Sequence, residues 1–296
     1  MKKILVPLDG SQTGEEALPW AKMVAEKQGL SIKLIRCFRP LATVYSYPDF
    51  ATPPPVAYDL SGFIRVSEKY LRSCISDYGL PETTTIVVKE GEPAETILEH
   101  SKSEDIECIA LSSHGRGGLG RWLLGSTTTK IVRASTKPVY ILKANSFPSP
   151  PSLSKILVCL DGSRSAERAL EVAARIAECH GSEITLFRAV DFFPYSAAAY
   201  QAFIESKKKD CLKYLVQVAS RYPNLKMKRS MEVVSAVQGI LENAPEFDLV
   251  VLASHGLSGL ERWLLGSVTE KVMHKITKPL LVVRALSQSN ENLAPS

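Results

Sequence analysis

The sequence predicts an α/β protein of two tandem doubly wound domains, each built on a five-stranded parallel sheet. Three observations carry this. The chain has 296 residues, and a prior of about 150 residues per domain gives two. A glycine-rich block is written twice, as Ser113–Ser126 and as Ser254–Ser267. In both halves short apolar runs alternate with amphipathic stretches, the pattern of strands joined by right-handed helical crossovers.

The elements follow in order. Ile4–Leu8 and Ile156–Leu160 are continuous apolar runs, as strands buried on both faces require. Amphipathic helices come next, with Ala17, Leu18, Ala21, Val24 and Ala25 on one stripe. In the second half Ala166, Ala169, Leu170, Ala173, Ile176 and Ala177 form that stripe. Ser11 and Ser163 can cap these helices, and Gly29 and Gly181 follow their ends. Second strands run over Ile32–Phe38 and Ile184–Val190. Tyr47–Leu60 carries four prolines and reads as a loop. The second half has Phe192-Phe193-Pro194 and then an alanine-rich helix start. Third strands fall at Thr85–Val88 and Met227–Val233, and helices at Glu95–Ser101 and Val237–Asn243. Fourth strands follow at Ile106–Leu111 and Leu249–Leu252. The glycine frames then lead into helices Ser126–Ala134 and Ser267–Lys275. The last strands are Val139–Leu142 and Leu280–Val283. Residues 1–144 and 155–286 are the two domains, 145–154 a Pro/Ser linker, and 287–296 a polar tail without periodicity.

Composition excludes several classes. Hydrophobic residues make up 45% and charged residues 23%, as in globular domains with full cores. The net charge of +5 is mild. Lys207-Lys208-Lys209 is the one compact basic run, and it reads as a solvated helix face rather than a nucleic-acid contact. No apolar run approaches the ~20 residues of a membrane span. Met1-Lys2-Lys3 leads straight into a short strand, not a secretory signal core. The six cysteines form no C-x-x-C pair and no metal spacing, so buried reduced thiols in a cytoplasmic protein are expected.

The chemistry lies in two motifs per half. Asp9-Gly10-Ser11 follows the first strand, and its copy Asp161-Gly162-Ser163 stands 152 residues on. The glycine frames follow the fourth strands. With strand order 3-2-1-4-5, strands one and four are neighbours, and both motifs face one crevice at the carboxyl edge. Gly115 and Gly125 let backbone N–H groups approach an anion, and Ser126 opens a helix whose N-terminus is electropositive. A polyphosphate fits there. A carboxylate would repel it, so Asp9 and Asp161 are read as bonding ribose or adenine, or as holding Mg²⁺. His114 and His255 read as catalytic groups or as turn histidines bonding the backbone. No Ser or Cys nucleophile stands at a matching motif, which favours the turn. Trp122 and Trp263 read as adenine-stacking or packing residues, and Arg121 and Arg262 as phosphate contacts or surface charges.

These residues resemble the universal stress protein family in its tandem form, over nearly the whole chain. The nucleotide-binding branch of that family carries G-x2-G-x9-G-(S/T). Gly115, Gly125 and Ser126 match its last three elements, as do Gly256, Gly266 and Ser267. Ser112 and Ala253 stand where its first glycine would be. Val6-Pro7-Leu8-Asp9-Gly10-Ser11 resembles its first-strand signature, and Cys159 replaces the proline in the second half. The resemblance implies a fold like the adenine nucleotide alpha-hydrolase group. It implies ATP or ADP as ligand, and adenine near Pro7, Asp9 and Cys37, the last matched by Ala189. The contacts it implies in the first half further include Gly10, Ser11, Ser112, His114, Gly115, Arg116, Gly118, Gly125, Ser126 and Thr127. In the second half they are Asp161, Gly162, Ser163, Ala253, His255, Gly256, Gly259, Gly266, Ser267 and Val268. Gly91 matches a glycine common after the third strand, where the second half has Val234. The first domain keeps more of the pattern and is expected to bind ATP more tightly. Pairing of the two fifth strands as an internal pseudo-dimer is also implied, with a homodimer as a further option.

The function this implies is a stress-response sensor or regulator that reads adenine nucleotide. Two alternatives stay open: a slow ATPase or phosphotransferase, and a nucleotide-free dimerisation scaffold. No second carboxylate or lysine recurs at a fixed spacing in both halves, which leaves an enzyme without a visible base.

Overall fold

The computed structural model describes residues 1–39, 60–113, 124–143, 146–190, 197–255 and 265–284, with the side chains of 197–203 excluded. The first half contains β1 (Lys3–Pro7), α1 (Gln12–Glu15), α2 (Ala17–Gln28), β2 (Ser31–Phe38) and α3 (Leu60–Asp77). It continues with β3 (Thr85–Glu90), α4 (Pro93–Ser101), β4 (Ile106–Ser112), α5 (Ser126–Ala134) and β5 (Val139–Leu142). The second half repeats the pattern with β6 (Lys155–Cys159), α6 (Arg164–His180), β7 (Glu183–Ala189), α7 (Ala197–Ala219) and β8 (Met227–Glu232). It closes with α8 (Ala236–Asn243), β9 (Leu249–Ala253), α9 (Ser267–Lys275) and β10 (Leu280–Val283). Of the loop predicted over Tyr47–Leu60, Leu60 opens α3 instead; the rest of it and the tail 287–296 lie outside the described residues.

The strands form one ten-stranded sheet in the order β3-β2-β1-β4-β5-β10-β9-β6-β7-β8. Each half has the predicted order 3-2-1-4-5, and every pairing within a half is parallel. The halves join where β10 runs antiparallel to β5, with Leu281 opposite Tyr140. All residues of both strands are buried, which is why they read as unbroken apolar runs.

Alternate residues of each strand feed two cores, one on each face. On one face α2, α3, α6 and α7 cover a core that holds Trp20, Leu34, Tyr140, Leu186 and Leu281. On the other, α4, α5, α8 and α9 cover Leu5, Ile109, Phe187, Val250 and Leu280. The linker is tied down rather than loose. Leu153 is buried, its carbonyl accepts from Ser182 Oγ at 2.6 Å, and Phe147 packs on Trp20 at 5.2 Å between ring centroids.

Two expectations need correcting. The first helix of the first half is broken at Glu16 into α1 and α2. Pro19 has no N–H to give the Glu15 carbonyl, and its ring crowds that same carbonyl. The second half has Glu171 at the matching position, and α6 runs unbroken for 17 residues. The cysteines are all free, but only Cys74, Cys108 and Cys211 are buried; Cys37 and Cys159 are half-buried, and Cys179 is exposed on α6, because it lies off the helix stripe that faces the sheet. Among the described residues no helix is long and apolar enough to cross a membrane.

Candidate functional site

In both halves the first and fourth strands are neighbours, β1 beside β4 and β6 beside β9. Their carboxyl ends therefore open side by side, with the aspartate turn on one wall and the glycine–serine turn on the other. This is where strand order reverses in a doubly wound sheet.

The aspartate turn is set by its glycine. Gly10 has φ 85° and Gly162 φ 91°, values in the left-handed region that a side chain would strain. That twist lets the aspartate fold back on its own loop. Asp161 Oδ1 accepts from Ser163 N at 2.9 Å, and Asp9 Oδ1 accepts from Ser11 N at 2.9 Å and Ser11 Oγ at 2.5 Å. The serine hydroxyls in turn cap their helices: Ser11 Oγ accepts from Gly14 N and Ser163 Oγ from Ala166 N, both at 3.1 Å.

The glycine–serine turn is built the opposite way. Gly125 and Gly266 are the N-caps of α5 and α9, and neither helix has a side-chain cap. Among the described residues the first-turn amides meet no side-chain cap, which is the arrangement that receives an anion. The turns are held from behind. Gly125 N donates to Ser113 O and Gly266 N to Ser254 O, each at 2.8 Å. Thr128 Oγ1 donates to Ser112 O at 3.2 Å and Thr269 Oγ1 to Ala253 O at 2.8 Å. A Cβ on Gly125 would lie 3.3 Å from Ser113 O. That glycine allows close contact with its own backbone wall.

In the second half these walls border a cavity of about 210 Å³, room for far more than a single water. Asp161, Ala189, Ala253, His255, Gly266, Ser267 and Val268 all line it. Gly162 and Ser163 shape the turn behind Asp161 and are not among its lining residues. In the first half Pro7 ends β1, Cys37 lies near the end of β2, Ser112 ends β4, and Gly125, Ser126 and Thr127 open α5. Burial pushes the Cys37 thiol up to about 11. His114, Gly115, Arg116, Gly118, Arg121, Trp122, Gly256, Gly259, Arg262 and Trp263 lie outside the described residues.

His255 departs from the backbone-bonding role the sequence suggested. Its Nδ1 lies 2.9 Å from a side chain, Ser254 Oγ, and its Nε2 is buried with no partner among the described residues. Burial, reinforced by the nearby Arg284 guanidinium, lowers its pKa, so the ring is held neutral. A neutral ring with an unpaired nitrogen at a cavity wall can bond a polar ligand atom that fills the cavity. Asp9 and Asp161 could each offer Mg²⁺ one carboxylate. Among the described residues no group of three His, Cys, Asp or Glu is gathered for a metal.

Several wall residues were not anticipated. Cys159, Ala166, Phe187, Ala236, Ile240 and Thr269 also line the cavity. Thr269 could have been found, because it repeats Thr128 two residues after the helix-opening serine. Phe187 could not. Its ring fits because α8 has Gly239 against it, where a Cβ would come within 2.7 Å of the ring, and only the packed structure reveals that pairing. A second repeated set was also missed. Arg36 stacks on Tyr70 at 4.8 Å and Arg188 on Tyr214 at 4.9 Å. Arg188 also lies behind the aspartate turn, 3.2 Å from where a Gly162 Cβ would be.

Comparison with known proteins agrees with the tandem fold. The profile described as the universal stress protein family matches residues 1–143 and again residues 153–284. A universal stress protein of Mycolicibacterium smegmatis is 28% identical over 287 residues, spanning 95% of this chain and 96% of its own. One from Mycobacterium tuberculosis strain H37Rv is 27% identical over 296 residues, spanning 95% and 96%. The crystal structure of a universal stress protein from Archaeoglobus fulgidus superposes with a TM-score of 0.68 at 20% identity, covering 95% of this chain and 98% of that one.

Proposed function

This chain belongs to the universal stress protein family, and from that premise we propose that it binds an adenine nucleotide, ATP or ADP, in the cleft of each half and acts as a nucleotide-dependent sensor or regulator. One observation carries the reading: residues far apart in the sequence, Asp161, Ala189, His255 and Gly266–Val268, line a single cavity at the carboxyl edge of the sheet. Its chemistry is divided as a nucleotide requires. The uncapped starts of α5 and α9 suit phosphate. The aspartate and the neutral His255 suit ribose or base. The apolar wall, with Phe187, Ala189 and Ile240, suits a purine face. Mg²⁺ would be held by ligand phosphates and at most one carboxylate, a common way for that ion to bind. We place the protein in the cytoplasm, acting as an internally paired chain, with its six unpaired cysteines in keeping with a reducing compartment.

Calorimetric titration with ATP and ADP tests this. Two equivalents are expected for the wild type and one for each of Gly125→Val and Gly266→Val. At Gly125 the branched side chain would press on Ser113 O, 3.3 Å from the Cβ position, and push the start of α5 out of line. Affinity no better than millimolar for both nucleotides would sink the reading. Two normal equivalents in both variants would show that the cradles are misassigned.

A further inference from the structure

We infer that the first cleft carries a charge latch that the second lacks: Glu92 holds Arg39 and Lys130 at its mouth and makes the first half selective for a polyphosphate chain. The inference rests on the nucleotide reading for what occupies the rest of the cleft.

The placement follows from the repeat. Glu92 is the N-cap of α4. Its counterpart is Ser235, the N-cap of α8, and the next residue, Ala236, is a wall of the second cavity. Lys130 lies four residues into α5 from Ser126, on the same side of the helix as that serine. Ser126 matches Ser267, another cavity wall. A bond from Lys130 Nζ to Glu92 Oε1, 3.4 Å long, therefore ties the start of α4 to the middle of α5, the two helices that flank the first cleft. Arg39, one residue past β2, pairs with the other oxygen of the same carboxylate. The turn is fixed beneath them, where Gly91 N donates to Phe38 O at 2.9 Å.

The two halves use this position differently. Ser235 Oγ accepts from Gln238 N at 3.3 Å and caps its helix. Glu92 makes no capping bond, and its carboxylate serves the two cations instead. Arg39 is matched by Asp191 in the sequence, so the second half has exchanged a cation for an anion there.

The energetics suit a latch. Both cations are more than half exposed, while Glu92 is mostly covered. Ion pairs of exposed side chains contribute little, because water screens them and both side chains must be ordered. A phosphate chain offers stronger charge-assisted bonds, bidentate for arginine. It can take Arg39 and Lys130 from Glu92, whereas an uncharged nucleoside cannot.

The test uses the full-length protein and two separate probes, inorganic tripolyphosphate and adenosine, titrated at several salt concentrations. Thermal melts check that each variant is folded, as expected for substitutions at the surface. Arg39→Gln and Lys130→Gln should each weaken tripolyphosphate roughly tenfold, the scale of one lost charge-assisted bond. Each should also flatten its salt dependence. Glu92→Gln should tighten it by a few-fold, because the competing carboxylate is gone. Adenosine affinity should stay within about twofold of wild type in all three. No tripolyphosphate binding by the wild type, unchanged tripolyphosphate affinity in the variants, or equal changes for both probes would each overturn the latch. Tripolyphosphate responding as described, with no binding of adenosine or ATP, would keep the latch and sink the nucleotide reading. ATP binding that ignores all three substitutions would do the reverse.

Discussion

The two halves share a backbone and differ in what stands on it. Each has a left-handed glycine behind its cleft aspartate, Gly10 and Gly162. Each has a glycine N-cap on the helix that faces the cleft, and a threonine tying that helix to the fourth strand. The walls are not shared. Pro7 and Cys37 are matched by Cys159 and Ala189, Ile35 by Phe187, and Glu92 by Ser235. Duplication has kept the devices that shape the chain and released the side chains that would meet a ligand. If both clefts bind nucleotide as proposed, one architecture would carry two specificities.

The sharpest way to break the comparison is at the seam. If each half were stable alone, damage at β10 would melt the second half and spare the first. Leu281 is fully buried, pairs with Tyr140 of the other half and belongs to a core that runs through both halves. Leu281→Ala should destabilise the protein by about 2–5 kcal/mol. Calorimetry should show one transition moved down as a whole. Two resolved transitions, with the upper one unmoved, would show two independent domains that merely touch.

A smaller effect comes from the helix that differs. Glu171 is exposed on α6, so a substitution there tests the backbone and little else. Glu171→Pro removes an interior helix bond and should lose about 3 kcal/mol. Pro19→Glu, the reverse exchange in the first half, should shift stability by under about 1 kcal/mol, because the chain already accommodates its break at Glu16. Equal losses from both would mean that Pro19 is not what divides α1 from α2.

The legible part of this protein was the part fixed by local rules. The bounds of α5, α9, β5 and β10 could be read to the residue, because a glycine–serine turn and a Lys-Pro pair mark their ends. The strand order was legible once the two aspartate turns and the two glycine frames were seen as one pair repeated. The helix break at Glu16 was missed because Pro19 stands where prolines are tolerated, in the first turn of a helix; only the unbroken copy exposes its effect. The cavity floor was missed for a different reason. Phe187 and Gly239 meet across the layer between sheet and helix, and nothing in either local sequence requires the other. Glu92 reads as a capping position, and its use as a cation holder depends on Arg39 and Lys130 arriving from two other elements.

The least effect is expected where the comparison closes on itself. Gln28 and His180 occupy equivalent positions in the two halves, 152 residues apart, and they face one another at 3.5 Å between side-chain nitrogens. In a symmetric dimer such a position would meet its own copy. Here a glutamine meets a histidine. Burial first, and then the charge of Lys27, depress the His180 pKa from 6.5 to about 4, so the folded ring is neutral and can accept from the Gln28 amide. The unfolded chain takes up a proton below about pH 6.5 and the folded chain does not until about pH 4. Stability is therefore fully present above pH 6.5 and declines as the pH falls through that window. Partial solvent exposure keeps the loss small. His180→Gln should flatten the melting temperature over this range, and Gln28→His, which sets two rings face to face, should steepen it. If Gln28→His leaves the acid limb unchanged, the two helices do not meet at these residues in solution, and the pseudo-twofold axis passes elsewhere.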